Sequence, residues 1–101
     1  MLGANRRVAI TRAARRDLRE IQDYYEEQVP NLGQRFMNYF VRALEQISER
    51  PNSFPMVYLE ARRAMLRVFP YGIYFRDLRP HLEVFAISHL SRNPSHWRRR
   101  I

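Results

Sequence analysis

Residues 11–50 read TRAARRDLREIQDYYEEQVPNLGQRFMNYFVRALEQISER, and this stretch decides the fold. In each half, apolar residues recur at steps of three and four, which places them on one side of an α-helix. The first half carries Ala14, Leu18, Ile21 and Tyr25 in this pattern, and the second carries Phe36, Phe40, Ala43 or Leu44, and Ile47. Each half therefore predicts an amphipathic helix.

Residues suited to helix ends bound both predicted helices. Thr11 is a good N-cap for the first helix, and Pro30 ends it. Asn31 can cap the second helix, which the run at 50–53 breaks. Because only a few residues separate the two helices, they should form an antiparallel hairpin.

Short β-rich runs flank the helix hairpin on both sides. The alternation at Arg7–Ile10 predicts a first strand. Beyond Pro55 the predicted strands are Arg63–Phe69, Ile73–Arg76 and Leu82–Ser88, separated by turn residues. They form a three-stranded antiparallel meander whose apolar face can cover the helices. The sequence thus predicts a two-layer α+β fold of order β-α-α-β-β-β, in one domain over residues 1–101.

Composition excludes several classes of protein. A chain of 101 residues has room for one modest core, and the absence of cysteine excludes disulfides, thiolate metal sites and cysteine nucleophiles. The spacing of His81, His89 and His96 does not suit one metal, so we expect no metal and no cofactor. No apolar run is long enough to cross a membrane, and residues 1–10 lack a secretory signal. We therefore expect a cytoplasmic protein without a membrane partner.

Charge gives the first indication of function. The net charge is +8, and all 18 basic residues are arginine. Arginine presents a planar fork of donors that suits phosphate and carboxylate groups. A GC-rich genome would also replace lysine by arginine with no functional demand. Composition leaves these two explanations open, so the positions of the arginines must decide between them.

Two sets of residues have the order and spacing of one toxin superfamily. In the N-terminal half they are Thr11, Ala14, Asp17, Leu18, Glu20, Ile21 and Tyr24. In the C-terminal half they are Leu66, Arg67, Pro70, Gly72, Tyr74, Arg76, Val84, Ile87, His89, Arg92, Pro94 and Trp97. Through them the chain resembles the RelE/ParE superfamily, and its ParE-like branch in particular. The resemblance implies the same fold and the toxin half of a type II toxin-antitoxin pair.

The superfamily implies two different activities. RelE-like members cut messenger RNA in the ribosome, whereas characterised ParE members poison DNA gyrase. The nuclease branch uses lysines and an arginine on the meander strands and a C-terminal tyrosine. This chain has no lysine, places Gly72 at the arginine position and Trp97 near the tyrosine position, and keeps only Arg92. The resemblance therefore favours a gyrase-binding toxin without catalysis over a ribosome-dependent endoribonuclease. A third alternative is an inactive member that binds nucleic acid.

A different, metal-independent ribonuclease site stays open. His89 could act as acid or base, Arg67, Arg76 and Arg92 could grip the phosphate, and Tyr74 could donate a hydrogen bond. The other interpretation of His89 is a sheet-end histidine bonded to the backbone. The absence of a second clear acid or base nearby favours that interpretation.

Arginine positions also suggest a surface for a partner. Arg67 and Arg76 flank one turn and, with Arg92, should point towards one end of the sheet, while Arg15 and Arg19 lie on the first helix. We interpret these five as target-binding or antitoxin-binding residues, although charged residues on strands and helices are often simply solvated. The resemblance implies that the antitoxin is acidic and folds around the toxin, on the helix hairpin and the exposed side of the meander.

Three tyrosines of the predicted helices and the tryptophan of the tail are interpreted as packing residues. Trp97 should anchor the short basic tail. Tyr24, Tyr25 and Tyr39 should belong to the core or to its edge.

Overall fold

One sheet and two long helices make up the computed structural model, which describes residues 5–101. Residues 1–4, part of the segment interpreted as lacking a secretory signal, lie outside the described residues. The elements are β1 Val8–Ile10, α1 Arg12–Gln28, α2 Leu32–Glu49, β2 Met56–Tyr58, β3 Ala61–Met65, β4 Tyr71–Asp77, β5 Leu82–His89 and α3 Ser95–Arg98, with a 3-10 turn at Pro51–Ser53. None of the helices in this part of the chain is long and apolar enough to cross a membrane.

The predicted start of α1 is confirmed, and the predicted cap of α2 is wrong in its mechanism. The Thr11 hydroxyl accepts a hydrogen bond from Ala14 N at 3.1 Å, as an N-cap does. Asn31 is left-handed, with φ 73°, and its side chain makes no capping bond. The Glu26 carboxylate accepts instead from Asn31 N at 2.8 Å and Gly33 N at 3.1 Å. The acidic end of α1 therefore caps α2.

The two helices approach each other closely at Gly33. A Cβ on this residue would lie 2.6 Å from the Gln22 carbonyl oxygen, closer than any real contact. Gly33 is thus the residue that lets the predicted antiparallel hairpin close.

The sheet contains the predicted meander and two further neighbours. Its strand order is β1-β5-β4-β3-β2; β1 runs parallel to β5, and the other pairs are antiparallel. Strand β2 was missing from the predicted order, because its three residues are all apolar and too few to show a strand period. The predicted strand Arg63–Phe69 ends at Met65, and Ile73–Arg76 extends to Tyr71–Asp77. The two-layer α+β architecture itself is confirmed.

Both helix stripes pack on the same face of the sheet, as predicted. The buried core on this face comprises Ala14, Leu18, Ile21, Phe36, Phe40, Ile47, Ala64, Leu66, Phe69, Ile73, Phe75, Leu82, Val84 and Ile87. Tyr25 and Tyr39 lie at its edge, which confirms their interpretation. Tyr24 is 55% exposed, so it contributes only an edge-on contact with the Tyr25 ring.

The opposite face of the sheet is covered by the C-terminal tail. Trp97 is buried and stacks on Tyr74, with ring centroids 4.2 Å apart and an angle of 19° between the rings. Ala61, Phe85 and Ala86 complete this second, smaller cluster. The interpretation of Trp97 as the anchor of the tail is confirmed.

Candidate functional site: arginine-bearing surfaces

The arginines expected to meet at one end of the sheet are divided between its two ends. Arg67 follows β3, and His89 ends β5 opposite Tyr71, so these two lie at the same end. Arg76 pairs with Glu83 beside the β4–β5 turn, at the other end. The expectation failed because Arg76 lies near the far end of β4, four residue steps or about 13 Å from Gly72.

Instead of joining a binding site with Arg67 and Arg92, Arg76 has a structural role. Its Nε donates to Glu83 Oε1 at 3.1 Å, and its guanidinium lies 5.8 Å from the centroid of the Phe85 ring. These contacts tie β4 to β5 and leave the side chain less than half exposed.

Tyr74 lies under the tail. Its ring is 2% exposed because Trp97 stacks on it. The structure therefore does not bring Tyr74 together with His89 at an open site, and its predicted role as a hydrogen-bond donor to a substrate has no geometric support.

His89 has the contacts of a structural sheet-end histidine. Its Nδ1 accepts from Ser91 N at 3.1 Å and lies 2.8 Å from Ser91 Oγ, while the ring packs edge-on against Tyr71. Because Nδ1 accepts from a backbone N–H, the neutral ring carries its proton on Nε2. Burial, with Tyr25 and Tyr24 adding, raises the pKa of the adjacent Tyr71 to about 12, so this phenol stays protonated at neutral pH.

Two acidic residues, Asp17 and Glu20, line a cavity beside His89. This small cavity of about 120 Å³ is lined by Glu20, Tyr71, His89 and Arg92, among others. Arg92 is exposed on the turn after β5, and its N–H donates to the His89 carbonyl at 3.0 Å. Sequence reasoning missed Glu20 because it lies on α1, nearly seventy positions away along the chain.

Arg67 lines a groove between α2 and the loop that joins β3 to β4. The groove has a volume of about 400 Å³ and is lined by Tyr39, Arg42, Ala43, Gln46, Met65, Leu66, Arg67 and Val68; we call it the α2 groove. Met65 is 59% and Val68 72% exposed, and the Arg42 guanidinium lies 5.6 Å from the Tyr39 ring centroid. The groove thus combines exposed apolar side chains with two arginines.

Val68 occupies an unfavourable backbone conformation. Its φ is 75°, in the left-handed region where a β-branched side chain is a rare outlier. Such a residue costs about 1–2 kcal/mol. Because the side chain is mostly exposed, packing within the protein recovers little of this cost. Strain of this kind at a surface position is a reason to suspect a binding function.

Arg15 and Arg19 belong to a larger set on α1. Arg12, Arg15, Arg16 and Arg19 together line a shallow depression of about 290 Å³; we call them the arginine stripe. Among the described residues, no ion pair involves any of the four. The Nε of Arg15 donates to the Ile10 carbonyl at 3.2 Å.

A partly buried ion pair fixes the tail beside α1. The Asp17 carboxylate accepts from Arg100 Nη1 at 2.6 Å and Nη2 at 3.0 Å, and also from Ile87 N at 3.0 Å. Arg100 donates in addition to the Phe85 carbonyl at 3.1 Å. Strand β1 ends at Ile10, so Asp17 and Arg100 satisfy the edge of β5 that β1 leaves unpaired.

His96 lies next to this ion pair. Its Nε2 is 3.9 Å from Asp17 Oδ1. Burial lowers the pKa of His96, and the charges of Arg92 and Arg100 lower it further, against the opposing effect of Asp17. The imidazole is therefore neutral at pH 7. Within residues 5–101, no three His, Cys, Asp or Glu side chains form a group that could hold a metal ion.

Comparison with known families decides the relationship. The profile of the family described as "ParE toxin of type II toxin-antitoxin system, parDE" matches residues 8–94. The chain belongs to the ParE toxin family. Toxin ParE2 of Mycobacterium tuberculosis is 30% identical over 91 residues, which cover 89% of this chain and 87% of the relative. The same values hold for Toxin ParE2 in a second strain of that organism.

A solved structure agrees with the fold of this ParE-family chain. This structure, described as "Chromosomal ParDE TA system from P. aeruginosa", superposes with a TM-score of 0.76 and is 20% identical in sequence. The match covers 85% of this chain and 97% of that one. Residues 8–94 include both the arginine stripe and the α2 groove, so both surfaces belong to the part that the family profile matches.

Proposed function

We propose that this ParE-family protein inhibits growth in the cytoplasm by binding DNA gyrase, and that an acidic antitoxin neutralises it. The observation that carries the proposal is the α2 groove, where Arg42 and Arg67 stand beside exposed Met65 and Val68. The solved relative from P. aeruginosa is described as a ParDE TA system, which supports a protein partner of this kind.

The groove suits a segment that is both acidic and apolar. A disordered segment that folds on binding must offset the entropy of ordering, so charge attraction alone is insufficient and apolar anchors are needed. The groove offers both: its two arginines can pair with carboxylates of the bound segment, and Val68 and Met65 can contact the segment's apolar side chains. Net charge +8 would speed the encounter with an acidic partner.

Binding is favoured over cleavage because the candidate catalytic residues do not assemble. Nδ1 of His89 already accepts a hydrogen bond from Ser91 N, which the ring would have to give up before this nitrogen could act as a base. Arg76 lies at the other end of the sheet, and Tyr74 lies under Trp97. Arg67 and Arg92 remain, and an arginine can recognise a protein surface without any catalytic partner.

Inhibition of DNA supercoiling by purified gyrase tests the target. We expect the purified toxin to inhibit the reaction, and the antitoxin to relieve the inhibition. Arg67→Glu should lose binding to the antitoxin. A matched control is Arg79→Glu, because Arg79 is 87% exposed at the other end of the sheet and should leave binding unchanged. Full gyrase activity in the presence of folded, unneutralised toxin would reject this target.

The ribonuclease alternative rests on one observation. Glu20, His89 and Arg92 line the same small cavity, which would give a nuclease an acid, a base and a phosphate-binding cation. If this alternative is correct, purified toxin should cut ribosome-bound messenger RNA. Glu20→Gln and His89→Ala should then each stop the cutting while the protein stays folded.

A further inference from the structure

The arginine stripe is a narrow row of like charges. At 3.6 residues per turn, its four residues fall within about 100° of the helix circumference and span about 10 Å along the axis. Four pairs in the row are three or four residues apart, the spacing at which helical side chains are neighbours. The row therefore concentrates positive charge on the first two turns of α1.

This arrangement works against the stability of the helix. The N-terminus of a helix carries partial positive charge and favours acidic residues, but the first turn of α1 contains none. Neighbouring like charges on a helix destabilise it further. The arginines therefore oppose both the helix dipole and one another.

At the other end of α1, an acidic residue that the helix dipole disfavours has a clear structural role. Glu26 and Glu27 lie in the last turn, where the dipole also disfavours them. Glu26 compensates by capping the first amides of α2 through Asn31 N and Gly33 N. Within the stripe, the structure records one side-chain hydrogen bond, from Arg15 to Ile10. Arg12, Arg16 and Arg19 have no comparable structural role among the described residues.

The chemistry of the stripe suits phosphate groups better than an acidic protein segment. A folding segment needs apolar anchors, and the four residues that line this depression are all arginine. Contacts to a nucleic-acid backbone need only cations, and duplex DNA carries one negative charge for about every 1.7 Å of its axis. Four arginines on two successive helical turns present several cations to such a linear array of charge.

We propose that the arginine stripe binds the phosphate backbone of duplex DNA, without regard to sequence. The stripe lies on α1, which packs against β5, whereas the α2 groove lies beside the end of β3. Strand β4 separates these two strands in the sheet. The proposal therefore does not rest on the antitoxin or on gyrase, and it stands or falls independently of them.

Fluorescence anisotropy with a labelled duplex of arbitrary sequence tests the proposal. Four phosphate contacts predict that the logarithm of the association constant falls against the logarithm of salt concentration with a slope of about −3.6. Arg16→Gln with Arg19→Gln should reduce the slope to about −1.8 and weaken binding at 50 mM salt at least tenfold. The matched control is Arg35→Gln with Arg50→Gln, two exposed arginines on or next to α2, which removes the same charge and should keep the full slope.

Thermal melts show whether a variant that loses DNA binding is still folded. Because the stripe opposes the helix dipole, Arg16→Gln with Arg19→Gln should melt at the same or a higher temperature than the unchanged protein. Lost DNA binding in this more stable variant would support the proposal. Equal loss of slope in the control pair would overturn it, because the binding would then depend on net charge alone. Tighter binding of polyglutamate than of duplex to the stripe would also overturn it, in favour of an acidic protein partner.

Discussion

The arginine stripe and the α2 groove are both basic, but they differ in what surrounds the charge. The stripe is lined by arginine alone, whereas the groove sets Arg42 and Arg67 among Tyr39, Met65 and Val68. A surface of charge alone can bind a polyanion but gains nothing from apolar contact. A mixed surface can bind a folding peptide. The same residue type, in one small domain, thus indicates two kinds of partner.

Both surfaces also reduce the stability of the free protein. The stripe places like charges at the positive end of a helix, and the groove holds Val68 in a left-handed conformation. No contact among the described residues offsets the free-energy cost of either feature. Features that cost stability without structural return are the ones we assign to binding.

The largest expected difference between the surfaces is their response to salt. Raising salt from 50 to 200 mM should weaken duplex binding roughly 150-fold, as four released counterions predict. The antitoxin complex should weaken less than about tenfold, because apolar contacts are not screened. Titrations of both complexes in the same buffers measure this. Parallel salt dependences would mean that the two surfaces do not differ in the way described.

Replacing Val68 should separate stability from binding at the groove. Val68→Asn should raise the free energy of unfolding by about 1 kcal/mol, because asparagine tolerates the left-handed region. The same change should weaken antitoxin binding about tenfold, since it removes a buried apolar contact of about 1.5 kcal/mol. Urea denaturation and isothermal titration calorimetry give the two values.

Val41 provides the control for that replacement. It is exposed on α2, lies outside the groove and has ordinary helical geometry. Val41→Asn should not stabilise the protein, and it should leave the antitoxin affinity unchanged. A Val68→Asn protein that loses stability would show that the strain at this position is absent or is offset elsewhere.

The smallest expected effect concerns His96, which lies next to the Asp17–Arg100 ion pair. Because the folded protein lowers the pKa of His96, the unfolded chain binds more protons below about pH 6.5. Stability should therefore fall as pH decreases from 6.5 through the folded pKa, and His96→Gln should reduce this loss. Thermal melts between pH 5 and 8 measure it. If the loss on acidification were the same in both proteins, His96 would not be its source.

Local patterns explain why so much of the fold was predictable. The apolar residues from Ala14 to Tyr25 and from Phe36 to Ile47 repeat with the helical period. Thr11 caps α1 through a contact only three residues away along the chain. The antiparallel meander follows from short apolar runs between turns. Strand β2 was missed because three apolar residues are too few to show a strand period. The predicted cap at Asn31 was wrong because its side chain makes no capping bond, and the Glu26 carboxylate caps α2 instead.

The candidate site was less predictable because it depends on contacts between distant parts of the chain. The distance of Arg76 from the Gly72 turn was implied by the predicted strand Ile73–Arg76, whereas the burial of Tyr74 depends on where the tail docks. Nothing in the sequence around Val68 signals its positive φ. Arg12 and Arg16 could have been found, since they share the helical spacing of Arg15 and Arg19.

Growth arrest by variants of the toxin tests most directly the claim that it acts by binding. Induced alone, His89→Ala should still arrest growth, with DNA breaks preceding any cleavage of messenger RNA. Arg67→Ala combined with Arg92→Ala should reduce the arrest, with each variant melting as a folded protein. The opposite result would contradict the account: a folded His89→Ala protein without toxicity, together with cleavage of ribosome-bound messenger RNA by the purified unchanged toxin.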